Sequence, residues 1–571
     1  MRILFVALGT EQLNISLLAS ILRRAGHDVG LAFSRHLFDD RDQLSMPGIA
    51  RYFSDDDDVV EQAARFRPDV VCYSALTVTY RWLIEVAQTI KDRCGAVSIF
   101  GGVHASAVPA LVLEEPVVDY VCVGEGDFAL PMLIAALAEG RRDAVIPNIA
   151  FRGPNGQLIK GGQMPFVQDL DSLPPFEKDL WHEHIAVDAA YLTMSSRGCP
   201  YRCTFCFNNF FANLGGARAT SGKYVRQRSV DHFMAELVSA KRRYGIRYVH
   251  IIDDIFTLDT AWLQEFARRY RREINVPFQC LSHAHFLDAE RVQALGEAGC
   301  VWVQIGVQSA DEEYKKSTLR RPDKSARISQ VLDLLHRAKI GVKTDHIFGL
   351  PGETIDSQDV ALRFYAEHPG LRRVGTYWLT YLPGTQIIDE GLRAGTITQA
   401  QVDRINRGDT DFWHREANVI DPAMRRRYLE YEALLRVMVY LPASLRTRLT
   451  ARQVRWLPAG LMKLLGLLIS VTVSAAQRDP DLNAFLARYR HGLVNHVRRR
   501  LGLASRRRFP PGETSPMRDS AWDSLFEATQ AKLRAAPLPI ETLPLPAAAI
   551  PPPPPATAFA PVPAAELTAM S

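Results

Sequence analysis

Three cysteines within eight residues, Cys199, Cys203 and Cys206, constrain this chain more than any other feature in it. They lie in the run Ser195-Ser196-Arg197-Gly198-Cys199-Pro200-Tyr201-Arg202-Cys203-Thr204-Phe205-Cys206. Thiolates are the ligands that iron–sulfur clusters prefer, and a four-iron cluster normally takes four of them. The run offers three, which leaves one iron open to an exogenous ligand, as in a catalytic site. The competing reading is a set of buried or zinc-binding cysteines. A structural zinc site usually pairs two Cys-x2-Cys knuckles, and the chain has no second pair.

At 571 residues the chain should hold two or three domains. Its 47% hydrophobic and 23% charged residues are those of ordinary globular protein. A net charge of +5 makes no case for nucleic acid. Of the other cysteines, Cys72, Cys122, Cys280 and Cys300 fall in apolar runs and read as small core residues, while Cys94 lies near a helix end. A secreted disulfide framework does not suit a protein of this size, and thiolates for a cluster need a reducing compartment. The N-terminus begins directly as a strand and lacks the pattern of a signal peptide. A cytoplasmic protein is expected.

Over residues 1–140, short apolar runs alternate with helical spacing. Strands are expected at Ile3 to Leu8, Asp28 to Phe33, Asp69 to Ser74, Ala96 to Gly101 and Asp119 to Val123. That alternation implies a parallel, doubly wound, Rossmann-like sheet, whose ligands bind outside the carboxyl ends of the strands. Those ends are Gly9-Thr10-Glu11, Ser74-Ala75-Leu76-Thr77, Gly101-Gly102-Val103-His104 and Gly124-Glu125-Gly126. Glycine at three of the four allows a large ligand to approach the backbone.

Residues 141–190 carry several prolines and glycines without clear periodicity and read as a linker. From Tyr191 to about residue 400, six strand-like runs alternate with helical stretches, a pattern that suits a partial or closed β/α barrel. The cysteines follow the first of these strands, at the end where such barrels place their chemistry.

Cys-x3-Cys-x2-Cys with Phe205 before the last cysteine and Arg197-Gly198 before the first resembles the signature of the radical S-adenosylmethionine (SAM) enzymes. Preceded by a domain with Gly-Gly-x-His and Val-Gly-Glu-Gly runs, it resembles their B12 (cobalamin)-binding branch. The resemblance covers roughly residues 1–390. It implies a [4Fe-4S] cluster on Cys199, Cys203 and Cys206 and SAM on the open iron. It makes Ser74, Thr77, Gly101, Gly102, His104, Gly124 and Glu125 candidates for cobalamin contact, although for His104 a hydrogen-bonding role is favoured over cobalt ligation. The Asp-x-His-x-x-Gly loop of cobalamin mutases is missing after the first strand, so no protein histidine is expected on cobalt. Asp253 and Asp254 stand where the family binds the SAM ammonium, a contact that suits a carboxylate. Gln308 and Ser309 match the family's Gly-x-Glu-Ser element with glutamine for glutamate. The Gly349-Leu350-Pro351-Gly352-Glu353-Thr354 run resembles the element lining the adenine pocket, with a tight turn and helix cap as its plainer reading.

Residues 401–534 read as a helical, arginine-rich region, and 535–571, with five consecutive prolines at 551–555, as a disordered or polyproline tail. The apolar segment 464–476 has 13 uncharged residues, too short to span a bilayer. A buried helix is the favoured reading, and an interfacial helix touching the membrane periphery is the sharper one.

The resemblance implies that a 5′-deoxyadenosyl radical abstracts a substrate hydrogen and that methylcobalamin supplies a methyl group. Methylation of an unactivated carbon in a small-molecule or lipid-like intermediate is therefore the leading expectation, with a reductant such as flavodoxin or ferredoxin as partner. The alternatives are a cyclase, rearrangement or oxidation enzyme resembling the anaerobic porphyrin cyclases, and a cobalamin/Fe–S redox sensor.

Overall fold

In the computed structural model, the described residues are 1–543 except 36, 38, 41–43, 46, 54–55, 215–221, 369, 410–421, 449–467, 470, 473–474, 476–478 and 504–521.

The first sheet begins with β1 (Arg2–Leu8), β2 (Asp28–Ser34), β3 (Val70–Ser74), β4 (Val97–Gly101) and β5 (Tyr120–Cys122). These run parallel in the order β5-β4-β3-β1-β2. Ile3 through Ala7 are all at most 2% exposed, because helices cover both faces and neither face can be polar. The strand order reverses between β1 and β3, which opens a crevice at their carboxyl ends.

Two further strands, β6 (Ile149–Arg152) and β7 (Leu158–Gly161), extend the sheet as an antiparallel hairpin. A chain segment at Ile540–Leu543 pairs antiparallel with β7. Both findings depart from expectation: part of the 141–190 linker is sheet, and the 535–571 tail contributes four residues to it.

The second sheet comprises β8 (Tyr191–Thr193), β11 (Val249–Ile251), β12 (Phe278–Ser282), β13 (Cys300–Gln308), β14 (Gly341–Phe348) and β15 (Leu371–Trp378), while β9 (Ser196–Arg197) and β10 (Arg226–Gln227) form a separate two-stranded antiparallel sheet. Six parallel strands follow in sequential order, β8-β11-β12-β13-β14-β15, with no pairing between the first and last. The barrel is therefore partial. Intervening helices are bounded by the residues their ends require. Ser229, Asp259 and Asp288 each accept a first-turn backbone N–H at the helices Val230–Tyr244, Thr260–Glu273 and Ala289–Ala298. Gly245 and Gly299 end two of them at φ of 60° and 91°, where a side chain would be strained. Phe256, Phe266 and Phe278 pack edge to face in the barrel wall, and truncating one to alanine costs about 3–5 kcal/mol.

The helix α1 (Pro480–Arg500) closes the barrel floor. Its amino end presents Asp479, which accepts from Trp302 Nε1 at 3.0 Å, and Asp481, which accepts from Lys343 Nζ at 2.6 Å and Arg373 at 3.2 Å. Trp302, Lys343 and Arg373 are each third in their strands, so this plug lies at the end opposite the cysteines. The apolar segment 464–476 lies mostly outside the described residues, and among those described no helix is long and apolar enough to cross a membrane.

Candidate functional site

Cys203 is buried, and Cys199 and Cys206 are partly buried, in a loop at the carboxyl end of the first barrel strands. The loop is pinned on several sides. Thr204 donates through its N–H to Leu319 O at 3.2 Å and through its hydroxyl to Thr318 O at 2.8 Å, while its carbonyl accepts from Ile387 N at 2.9 Å. Tyr201 packs its ring on His283 at 4.2 Å, with its hydroxyl 2.9 Å from His285 Nδ1. Gly198 adopts φ of 90°, and a Cβ there would lie 2.5 Å from Tyr224 O. No side chain other than hydrogen fits.

Burial pushes the Cys199 thiol up to about 12 and raises Cys203 and Cys206 as well. Against that, Arg321 Nη1 approaches Cys203 Sγ at 3.9 Å and Asn208 Nδ2 approaches Cys206 Sγ at 3.8 Å. Among the described residues no three His, Cys, Asp or Glu side chains converge to hold one metal ion. In a polynuclear cluster each thiolate binds a different iron, so the sulfurs need not share a point. Three soft donors with hydrogen-bond donors at two of them fit a cluster and do not fit a single zinc.

The two candidate aspartates separate. Asp253 is fully buried, and its carboxylate accepts from Ser195 N at 2.9 and 3.0 Å, from Ser195 Oγ at 2.9 Å and from Ser196 Oγ. It braces the strand leading into the cysteine loop, which corrects its assignment as a SAM contact. Asp254 instead opens toward the barrel mouth, where it accepts from Asn208 Nδ2 at 2.8 Å, and Tyr224 holds Asn208 in turn at 2.5 Å. Its protein surroundings still raise the carboxyl above its ordinary range.

Gln308 ends β13 at φ of 67°, a left-handed conformation rare for a residue with a side chain and concentrated at functional positions. Ser309 beside it is fully buried and accepts from Asp311 N at 3.3 Å. Gly349 follows β14 at φ of 75°. Deeper in the lumen, Gln304 Nε2 donates to both Asp345 oxygens at 3.0 Å, and burial pushes the Asp345 carboxyl up to about 6. Tyr377 is 44% exposed on the next strand. Sequence reading passed over these three residues. Polar side chains on strands otherwise apolar were the available signal.

At the first domain's strand ends, Ser74 and Gly101 are half-buried and Leu76 shows 41% of its surface. An apolar side chain left open beside small residues at a switch point fits a bulky, largely apolar-faced ligand such as cobalamin. Thr77 and His104 sit behind this crevice: Thr77 Oγ1 lies 3.1 Å from His104 Nδ1, and the imidazole packs on Tyr80 at 4.3 Å. His104 is 0% exposed and burial pushes it down to about 4, so its imidazole is held neutral between the strand ends. A Cβ on Gly102, at φ of 90°, would lie 2.8 Å from Ala75 O, so this glycine permits the close approach of β3 and β4. Gly124 donates its N–H to Ser106 Oγ at 2.9 Å. The Glu125 carboxylate is taken by Arg197 and Arg226 at 3.1 and 2.9 Å, which points it at the cysteine loop and away from the crevice.

The B12-binding domain model matches residues 6–134, and the radical SAM superfamily model matches residues 193–364. The chain is a B12-binding radical SAM enzyme. An uncharacterized methyltransferase of Pyrococcus horikoshii is 25% identical over 466 residues, covering 80% of this chain and 95% of that protein. The cytidylyl-2-hydroxyethylphosphonate methyltransferase of Streptomyces wedmorensis is 24% identical over 434 residues, covering 68% and 79%. Among solved structures, the cobalamin-dependent SAM radical enzyme OxsB with aqua-cobalamin and SAM bound superposes with a TM-score of 0.59 at 15% identity, covering 94% of this chain and 80% of that one. A B12-binding radical SAM enzyme uses a [4Fe-4S] cluster, SAM and cobalamin, and the three thiols of the cysteine loop are the soft donors such a cluster takes.

Proposed function

We propose that the protein is a cobalamin-dependent radical SAM methyltransferase acting on an unactivated carbon of a small-molecule or lipid-like intermediate. One observation carries the reading: Arg197, two residues before Cys199, is ion-paired to Asp127 and Glu125 just past β5 of the first domain, which sets the cysteine loop directly against the strand ends of that domain. When bound, the cluster with SAM supplies a hydrogen-abstracting radical, and cobalamin supplies the methyl group.

The chain's own residues then have distinct tasks. Cys199, Cys203 and Cys206, deprotonated, would hold the cluster, Arg321 would donate to the Cys203 sulfur, and Asp254 would accept from the SAM ammonium. Gln308, Ser309 and the Gly349 turn line the same pocket. Ser74, Gly101 and the backbone at Gly124 front the cobalamin crevice. In the lumen, Asp345, Gln304 and Tyr377 orient a polar group of the substrate, while the α1 plug closes the floor and keeps water out. The difficult chemistry belongs to the cofactors, and the protein positions them.

Methyl-labelled SAM tests this. Reconstituted, reduced protein should move label to the corrinoid and, given a lysate of source cells, into a small-molecule product. Deoxyadenosine formed without labelled product would favour a cyclase or oxidation enzyme. Absence of deoxyadenosine would favour a redox sensor.

A further inference from the structure

Four charged side chains cross the boundary between the two cofactor-bearing halves. Arg197 and Arg226 are direct partners in the antiparallel β9–β10 ladder, so both guanidinium groups leave the same two-stranded ladder. Arg197 makes a fork to Asp127, Nη1 to Oδ2 at 2.8 Å and Nη2 to Oδ1 at 3.1 Å, and also donates to Glu125 at 3.1 Å. Arg226 donates to Glu125 at 3.1 Å and to Val167 O at 3.0 Å, and its guanidinium lies 4.9 Å over the Phe166 ring. Val167 N–H donates back to Glu125 at 3.0 Å. The four side chains are between 4% and 19% exposed and their charges balance.

Burial works to raise the Glu125 carboxyl, but Arg197 and Arg226 overcome it and hold the group below its ordinary range. Bidentate guanidinium–carboxylate pairs fix direction as well as distance. The strand β9 leads through Gly198 straight into Cys199, and Glu125 lies between Gly124 and Gly126, just past β5. Each arm of the tetrad is thus covalently next to one cofactor site.

We propose that the Arg197–Asp127–Glu125–Arg226 tetrad is a positioning device that sets the separation and orientation of the cluster loop relative to the cobalamin crevice. The inference rests on the two-cofactor reading above. The tetrad touches neither reacting group. Its effect is on how often a hydrogen abstraction finds the methyl donor in place.

The test uses protein loaded with reduced cluster and cob(II)alamin, whose unpaired electrons report their mutual distance by pulsed electron paramagnetic resonance. Wild type should give one narrow distance distribution, and its absence would sink the two-cofactor reading itself. Arg197→Lys and Glu125→Gln, which keep size but break the fork or the charge, should broaden or shift that distribution while iron, cobalt and the cluster's own spectrum stay at wild-type levels. Deoxyadenosine formed per labelled product should rise several-fold in the same variants. An unchanged distribution would overturn the proposal, and so would loss of iron or cobalt, which would make the tetrad a folding element.

Discussion

Arg321 Nη1 lies 3.9 Å from Cys203 Sγ while the same guanidinium donates to Gly306 O at 2.7 Å and to Asp323 at 3.0 Å. Asp323 is nearly fully buried and held well below the usual carboxylate range by His283, Arg321 and Lys315, which overcome its burial. The arginine is therefore clamped at the sulfur from two other directions. A hydrogen bond and positive charge at a ligating thiolate stabilise the more negative, reduced cluster. Arg321→Gln should move the cluster's midpoint to more negative potential in a titration followed by paramagnetic resonance. A midpoint unchanged or more positive would contradict this account.

Replacing Cys199, Cys203 and Cys206 together by alanine should abolish the broad four-iron absorbance and iron uptake. Retention of both would overturn the assignment of these residues as ligands.

Asp253 and Asp254 are adjacent in sequence, yet their substitutions should fail in different ways. Asp254→Asn removes the charge offered at the barrel mouth and should weaken SAM binding roughly ten-fold or more, about 1.5–3 kcal/mol for a hydrogen bond to a charged group. Its melting temperature should hold. Asp253→Ala strands the buried Ser195 and Ser196 donors and should cost about 2–4 kcal/mol of stability, seen as a lower melting temperature before any effect on SAM. Calorimetric SAM titration and thermal melts of both variants would separate the roles.

The Asp345 carboxyl is raised to about 6 from 3.8, chiefly by burial. A raised acid binds its proton more tightly in the folded state, so folding stability falls as pH climbs from about 4 to about 6 and levels off above. Asp345→Asn lacks that loss. Denaturant melts should find the variant gaining on wild type by about 1–3 kcal/mol between pH 4 and pH 7. A gap independent of pH would show that Asp345 is not so buried.

Much of the site was legible because its chemistry is local. Three thiolates within one loop, and glycines at consecutive strand ends, leave a pattern that needs no tertiary knowledge. That both sheets are built of parallel strands followed from the alternation of apolar runs with helical stretches, since parallel strands buried on two faces are written as unbroken apolar runs such as Ile3 to Leu8. Long-range pairing was not legible. Nothing in the neighbourhood of Glu125 says that it faces Arg197, 72 residues away, and nothing near Asp253 distinguishes it from Asp254. The hairpin Ile149–Arg152 to Leu158–Gly161 was hidden by flanking prolines and glycines, and the pairing of Ile540–Leu543 by a proline-rich context that reads as tail.

The α1 plug yields the last expectation. Lys343 Nζ is held by Asp481 at 2.6 Å and by Gln279 at 2.8 Å, deep in the barrel floor, and burial lowers its pKa against the pull of Asp481. Removing one partner of a buried pair leaves the other charge unneutralised, at a cost of about 3–5 kcal/mol. Asp481→Ala should therefore destabilise the protein by that order, although residue 481 lies more than two hundred positions beyond the cysteine loop. Lys343→Met in the same chain removes the stranded charge and should recover part of the loss, because an apolar side chain of similar length suits the floor beside Trp302. A thermodynamic cycle over the two single variants and the double measures this coupling. Additive losses would mean that α1 rests against the barrel without closing it.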